Sequence, residues 1–326
     1  MTGRTTGRTT PPIPPQEQGA ALINVLVLVG VLAALSTSLF DRLRLARHLD
    51  ATRAGLEAAR GAALAGETMI LARLPPASEM PVLPQQAFAL PTPAGPATVT
   101  LSPGGNCFNL NSVAMGPPGR TLTRPLGTEQ LAALLGLLDV PQAEAQRIAA
   151  ATADWVDVDQ QPGSGGAEDP AYARAATPYR TAGTLLAETS EWRAVAGVTP
   201  AIFARTAPHL CALPEAELSR PNLNSLAAAD APVLAAIAGV PLAAARDIIA
   251  ARPAGGWRDV AAFWAQPLLA GRQIAADALR QPGTRDRFVA FRMTTTIDDV
   301  TLAQTGLVDT GTAPAKLLLR RWGDEA

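Results

Sequence analysis

The sequence predicts an α+β chain carried on one long N-terminal helix whose first half crosses a membrane. Three observations point to this. Residues Ala20–Phe40 form an apolar run with no charged side chain. Alternating stretches at Ala97–Ser102 and Arg287–Met293 read as strands. Between them, two Ala-rich segments repeat a helical pattern about 110 residues apart.

The apolar run is about 21 residues long, and at ~1.5 Å per residue it matches the ~30 Å hydrocarbon core of a bilayer. It follows a polar, Pro-rich leader, Met1–Gly19. Arg4 and Arg8 lie on one side of it, and Arg42, Arg44 and Arg47 on the other, so flanking charge does not orient it. Three readings compete: a cleavable secretory signal, an ordinary signal anchor, and a pilin-type signal cut after a Gly, leaving the helix in the mature chain. A secretory signal has a shorter apolar core of ~7–15 residues. The pilin-type reading gains from Asp41–Leu74, where Leu43, Leu45, Leu49, Leu56, Leu64, Met69 and Leu71 alternate with charge until Pro75 and Pro76 stop the helix. Gly55, Gly61 and Gly66 weaken such a helix in isolation, so one face is expected to pack on a sheet.

Residues 75–96 read as a loop, Ala97–Ser102 as a strand, and Cys107–Val113 as a strand running into a helix start. Asn109-Leu110-Asn111-Ser112 recurs as Asn222-Leu223-Asn224-Ser225. Each copy precedes two helices joined at a Val-Pro turn, Val140-Pro141 and Val240-Pro241. The Asn and Ser side chains suit helix caps. A short apolar strand is expected in Arg205–Pro214, and Ala315–Trp322 reads as an edge strand.

Between the hairpins, DWVDVDQQPGSGGAEDPAY gathers Asp154, Asp157, Asp159, Glu168 and Asp169 around a Gly-rich loop. Hard oxygen ligands on a flexible loop suit Ca²⁺, although the EF-hand spacing is absent. A solvated acidic loop is the competing reading. Cys107 and Cys211 both fall on expected strands, and in an oxidising compartment they could pair.

With 27 basic and 28 acidic residues in a chain of 326, the near-neutral balance argues against an electrostatic nucleic-acid binder. Only His48 and His209 supply imidazoles. No G-x-S-x-G, P-loop, H-E-x-x-H or C-x-x-C motif occurs, and no enzyme is expected. The second hairpin is similar to the helix-hairpin-helix repeat of DNA-binding proteins. Its turn, Gly239-Val240-Pro241, lacks the second Gly, and Pro has no N–H for a phosphate. Arg246, Arg252 and Arg258 are balanced by Asp230, Asp247 and Asp259. A membrane-anchored DNA receptor is the alternative reading.

Five segments in order carry a resemblance over nearly the whole chain: QGAALINVLVLVGVLAAL, CFNLNS, ADWVDVDQQPGSGGAEDPAY with Pro178-Tyr179-Arg180, EWRAVAGVTPAIFARTAPHLCALP, and the second NLNS with its hairpin. Together they resemble the GspK family of minor pseudopilins of type II secretion. The resemblance implies a pilin-like fold, in which the long helix packs on an antiparallel sheet, with a large inserted helical domain containing helix-hairpin-helix or SAM-like units. The expected boundaries are 1–19 leader, 20–75 helix, 76–120 first part of the pilin-like domain, 121–208 helical insert with the acidic loop, 209–286 strand and second hairpin, and 287–326 C-terminal β part.

The resemblance also implies cleavage by the prepilin peptidase between Gly19 and Ala20, with methylation of the Ala20 amine. Most pilins carry Glu at the fifth mature position, but this chain has Asn24, a departure that fits the resemblance because the family lacks that Glu. Without that carboxylate a subunit cannot neutralise the amine of one ahead of it, which favours the filament tip. The implied role is to start pseudopilus assembly in the inner membrane, and limit its length, in a complex with GspI and GspJ. The ectodomain is expected in the periplasm, supporting export of folded proteins through the outer membrane. Relatives bind Ca²⁺ through acidic residues. That role carries over to Asp157, Asp159, Glu168 and Asp169, with Asp154 also weighed as a helix cap.

Overall fold

A computed structural model describes residues 15–80, 83, 87–117 and 119–323, with the side chains of 15–21 left out. The expected leader therefore lies outside the described residues, apart from the backbone of 15–19.

Helix α1 runs unbroken over Pro15–Arg73. It ends one residue before the expected limit, ahead of the Pro75-Pro76 stop, with Leu74 N–H still bonded to the Ile70 carbonyl. Residues 22–54 are all exposed, whereas from Gly55 onward one face is buried, with Ala59, Ala62, Ala63, Glu67 and Ile70 at its centre. The helix is thus a bare shaft below, apolar as far as Phe40, and a packed core element above.

A five-stranded antiparallel sheet receives the upper half. Its strands are β1 (Phe88–Thr92), β2 (Gly95–Pro103), β7 (Phe288–Ile297), β8 (Val300–Asp309) and β9 (Lys316–Trp322), in that spatial order. Val99 lies opposite Met293, and their side chains meet Ala63, Ile70, Leu90, Phe291 and Val308 in one core. Helix and sheet lie flush because a Cβ on Gly66 would strike Met293 Sδ at 2.6 Å, and one on Gly55 would strike Val300 Cγ2 at 2.9 Å. Two glycines that weaken the isolated helix therefore set its packing distance, while Gly61 faces open space. Glu67 adds a polar tie. Its carboxylate accepts from Gln304 Nε2 at 2.6 Å and Arg320 Nε at 2.7 Å, linking α1 to β8 and β9.

Strand β1 lies within the stretch read as loop. It carries Pro91 and occupies the sheet edge, where a residue without an N–H costs no ladder bond on its outer side. Strand β9 forms the opposite edge, as the tail suggested.

The chain leaves this sheet after Pro103, earlier than the expected boundary at 120, and returns at Phe288. Gly104 N–H bonds the Phe288 carbonyl at 2.8 Å, so exit and return are adjacent. Everything between is one inserted, mostly helical body. Its elements are β3 (Phe108–Asn109), β4 (Ala114–Met115), β5 (Leu122–Thr123), α2 (Pro125–Leu137), α3 (Gln142–Val156), α4 (Asp169–Tyr172), α5 (Pro200–Thr206), β6 (Leu210–Cys211), α6 (Ala231–Ala238), α7 (Leu242–Ala250), α8 (Val260–Trp264) and α9 (Ala276–Arg280). The stretch Cys107–Val113 runs from strand into helix start as expected, but in short form: β3 holds two residues and Leu110–Val113 make a single 3₁₀ turn.

The sequence repeat is a structural repeat. In each copy the first Asn side chain accepts the N–H of the second: Asn109 from Asn111 at 3.2 Å, and Asn222 from Asn224 at 2.9 Å. The second Asn then ties two distant segments together. Asn111 donates to the Leu186 and Leu213 carbonyls at 2.9 and 2.7 Å and accepts Leu186 N–H at 2.8 Å. Asn224 donates to the Trp257 and Thr284 carbonyls at 3.0 and 3.2 Å and accepts Trp257 N–H at 2.6 Å. Apart from Asn109, which caps its own 3₁₀ turn, these side chains staple loops and do not cap helices. A returning segment then pairs in parallel beside each copy: β6 beside β3, and Gly283 beside Asn222.

Candidate functional site

The acidic loop begins where α3 ends. Asp154 sits in the last turn of α3, only 2% exposed, and its carboxylate accepts Gly163 N–H at 3.1 and 3.2 Å. A Cβ on Gly166 would collide with that same carboxylate, so only glycine lets the loop close over it. The loop turns back and delivers Glu168 to the C-terminal end of α3. There, ligand oxygens of Asp157, Asp159 and Glu168 all lie within 4.8 Å of one another.

These three carboxylates differ in what already holds them. Asp157 Oδ2 accepts from Thr123 Oγ1 of β5 at 2.7 Å, while Asp157 Oδ1 is buried without a partner. Both oxygens of Glu168, a residue 2% exposed, are buried without a partner. Asp159 is more open and accepts Gln161 N–H at 2.8 Å. Burial, reinforced by Asp154, Asp157, Asp159 and Asp169, pushes the Glu168 carboxyl up to about 7. Burial also raises Asp154 and Asp157. Buried carboxylate oxygens without donors are costly unless a proton or a cation meets them. The donor set is all hard oxygen on a loop that can lend carbonyls, which fits a Ca²⁺-type ion needing 6–8 oxygens.

Of the five acidic residues named from sequence, three converge and two serve the frame. Asp154 pins the glycine loop. Asp169, at the start of α4, accepts Thr181 N–H at 2.9 Å and Thr181 Oγ1 at 3.0 Å, with Arg180 3.9 Å away. Sequence reasoning missed Thr123, which lies 34 residues from Asp157 in a stretch without acidic character. It also missed the aromatic wall behind the loop. Trp155, Tyr172 and Tyr179 have ring centroids 5.1–6.1 Å apart, and Tyr172 is pushed up to about 12, first by burial.

The remaining candidates lie elsewhere. Gly19 and Ala20 fall on the first turns of α1, and Asn24 is exposed on its shaft. Cys107 and Cys211 are joined in a disulfide with Cα atoms 5.7 Å apart, beside the β3–β6 pair. In the second hairpin, α6 and α7 meet at 120° around Gly239-Val240-Pro241, and every residue of α6 is buried. Arg252 is used internally, donating to the Leu223 and Leu226 carbonyls, and Arg258 pairs with Asp259 at 2.8 Å.

Comparison with known proteins agrees with this architecture. Two family models described as "Type II secretion system (T2SS), protein K" match residues 106–215 and 221–283, the two stapled units of the insert. The type II secretion system protein K of Klebsiella pneumoniae is 31% identical over 285 residues, covering 84% of this chain and 87% of that protein. The protein of the same description from Pectobacterium carotovorum subsp. carotovorum is 32% identical over 258 residues, covering 74% of this chain and 77% of that one. Among solved structures, the chain is similar to one in the GspK-GspI-GspJ complex of enterotoxigenic Escherichia coli, with a TM-score of 0.66 and 28% identity, covering 87% of this chain and all of that one. An N-terminal apolar shaft fit for a single-pass anchor, an antiparallel sheet packed on its upper half and this matched insert lead to one conclusion: the chain belongs to the type II secretion system protein K family, the GspK minor pseudopilins.

Proposed function

We propose that this chain is the tip subunit of a type II secretion pseudopilus. In this role it starts filament assembly in the inner membrane, limits filament length, and supports export of folded proteins across the outer membrane. One observation carries the reading: the insert between Pro103 and Phe288 is larger than the sheet that bears it. A body of that bulk obstructs a further subunit stacked on top, whereas the bare shaft below leaves room for others to pack beneath. Asn24 agrees, because it offers no carboxylate to the amine of a subunit ahead. On this reading the prepilin peptidase cuts between Gly19 and Ala20 and Ala20 is methylated, with the head in the periplasm. The insert's two helix pairs act as helix-hairpin-helix-like protein-contact units. The partners are minor pseudopilins of the GspI and GspJ types and the inner-membrane assembly platform. Labelling the insert on assembled filaments tests the role: label at one end only is expected, and label along the filament overturns it. Mass spectrometry of the mature N-terminus tests processing. N-methylated Ala20 is expected, and a terminus beyond Phe40 overturns it.

The same reading includes a Ca²⁺ ion held by Asp157, Asp159 and Glu168. The support is the buried, partnerless oxygens of Glu168 and Asp157. When bound, such an ion supplies neutralising charge to the three carboxylates. The chain's own part is done by Asp154, which closes the glycine loop, and Thr123, which orients Asp157. A calcium titration that leaves the melting temperature unchanged overturns the site.

A further inference from the structure

The apolar run ends at Phe40, but the helix continues without a break. Arg42, Arg44 and Arg47 follow at two, four and seven residues past that end, all exposed. At a rise of ~1.5 Å per residue they stand roughly 3, 6 and 10 Å beyond the hydrocarbon. That places Arg42 and Arg44 at headgroup depth, since the headgroup layer adds ~5–8 Å on each side of the core, and Arg47 just outside it, within reach of its long side chain. At ~100° per residue, Arg44 and Arg47 point ~200° and ~140° away from Arg42, so the three surround the shaft. None of them is paired with another described residue, and Asp41 and Asp50, the carboxylates of this stretch, form no ion pair with them. Of the two, only Asp41 stands between the end of the run and Arg47, so this turn and a half remains positive. Leu43 and Leu45, 45% and 60% exposed, keep the surface between the arginines apolar, as a helix at the membrane interface requires.

We propose that Arg42, Arg44 and Arg47 form a collar that binds the phosphates of anionic phospholipids where α1 leaves the bilayer. The proposal rests on reading Ala20–Phe40 as a membrane span. The collar sets the height of the helix and adds a lipid-dependent grip to the lipid-independent one of the apolar run. Moving the subunit out of the bilayer into a filament requires these phosphates to be released, so membrane charge tunes that step.

The test uses the full chain in nanodiscs of mixed phosphatidylcholine and phosphatidylglycerol, with retained lipids identified by native mass spectrometry. Phosphatidylglycerol is expected to be enriched, and the enrichment to fall about fivefold for each arginine replaced in the series R42Q, R44Q, R47Q. Arg246→Gln with Arg272→Gln, both exposed on the insert, is expected to change nothing. Inorganic phosphate is expected not to displace the lipid. Full enrichment in the triple variant, or displacement by inorganic phosphate, overturns the collar. If alkaline carbonate strips the unaltered chain from vesicles, the span itself fails, and the collar with it; a chain that resists carbonate but shows no lipid preference fails on the collar alone.

Discussion

Asn111 and Asn224 hold the same place in two copies of one unit, yet the chain around them is spent differently. Each ties two distant segments through the same three kinds of bond, and each stands before a helix pair turning at Val-Pro. Beyond its second helix the first copy makes a long excursion, residues 157–209, that carries the acidic centre, the two tyrosines of the aromatic wall and α5. The second copy closes through α8 and α9 to Gly283 without such a centre among the described residues. Besides the asparagine staples, the returning segment of the first copy is fixed by a disulfide and by β6, and that of the second by a bridge at Asn222 and the Ser225 hydroxyl, which donates to Asp286 at 2.9 Å. The staple and the helix pair are thus a scaffold, and the acidic arm is an elaboration that only one copy carries.

Four measurements separate the two units. The largest effect belongs to the disulfide. Its cysteines are 104 residues apart, and Cys107→Ala with Cys211→Ala is expected to cost about 4 kcal/mol in denaturant unfolding through the freed unfolded chain. Hydrogen exchange should then rise in the first unit and hold in the second; equal loosening of both would show that they are not separate. Next come the staples. Asn111→Ala removes three bonds at a fully buried residue, and about 3 kcal/mol of loss is expected. Asn224→Ala removes three at a half-buried one, for about 2 kcal/mol. A reversed order would refute the equivalence.

The third test is pH, read on Glu168 with calcium chelated. In the unfolded chain this carboxyl ionises near ~4.3. In the folded chain it holds its proton up to about 7, chiefly because it is buried. Between those values the folded state binds more protons, so stability is highest below the window, falls as pH rises through it and levels off above. Melting temperature across pH should show this fall, and Glu168→Gln should flatten it. Calcium above pH 7 should restore stability to the unaltered chain but not to Glu168→Gln. The smallest effect is at the join of insert and sheet. Arg321 pairs with Glu188 at 3.0 Å, both part-exposed, and Arg321→Ala is expected to cost less than about 1 kcal/mol. A larger loss would mean that the two bodies depend on this contact more than its exposure allows.

Several elements could be read directly from residue order. The Pro75-Pro76 stop, the alternation from Arg287 and the Val-Pro turns are local signals, and the structure shows elements where they place them. Strand β1 was not legible, because Pro91 argues against a strand unless the edge position is known. At the candidate site the acidic composition named the loop but not the set. Asp154, Asp157 and Asp159 look alike in sequence, and so do Glu168 and Asp169. Only the fold gives Asp154 and Asp169 backbone donors and leaves Glu168 with none.

Residue order alone accounts for the apolar shaft, the helix that extends it, the repeated units and the family they mark. Each of these depends on neighbours within a few turns of chain, where hydrophobic period, Pro and Gly act directly. Where the insert leaves the sheet, which asparagine joins which loops, and which three carboxylates meet are set by long-range packing. Those outcomes bring together residues tens to hundreds of positions apart, as when Glu67 meets Arg320 or Thr123 meets Asp157. Burial at such meeting points decides which polar groups keep a partner, and no local pattern records it.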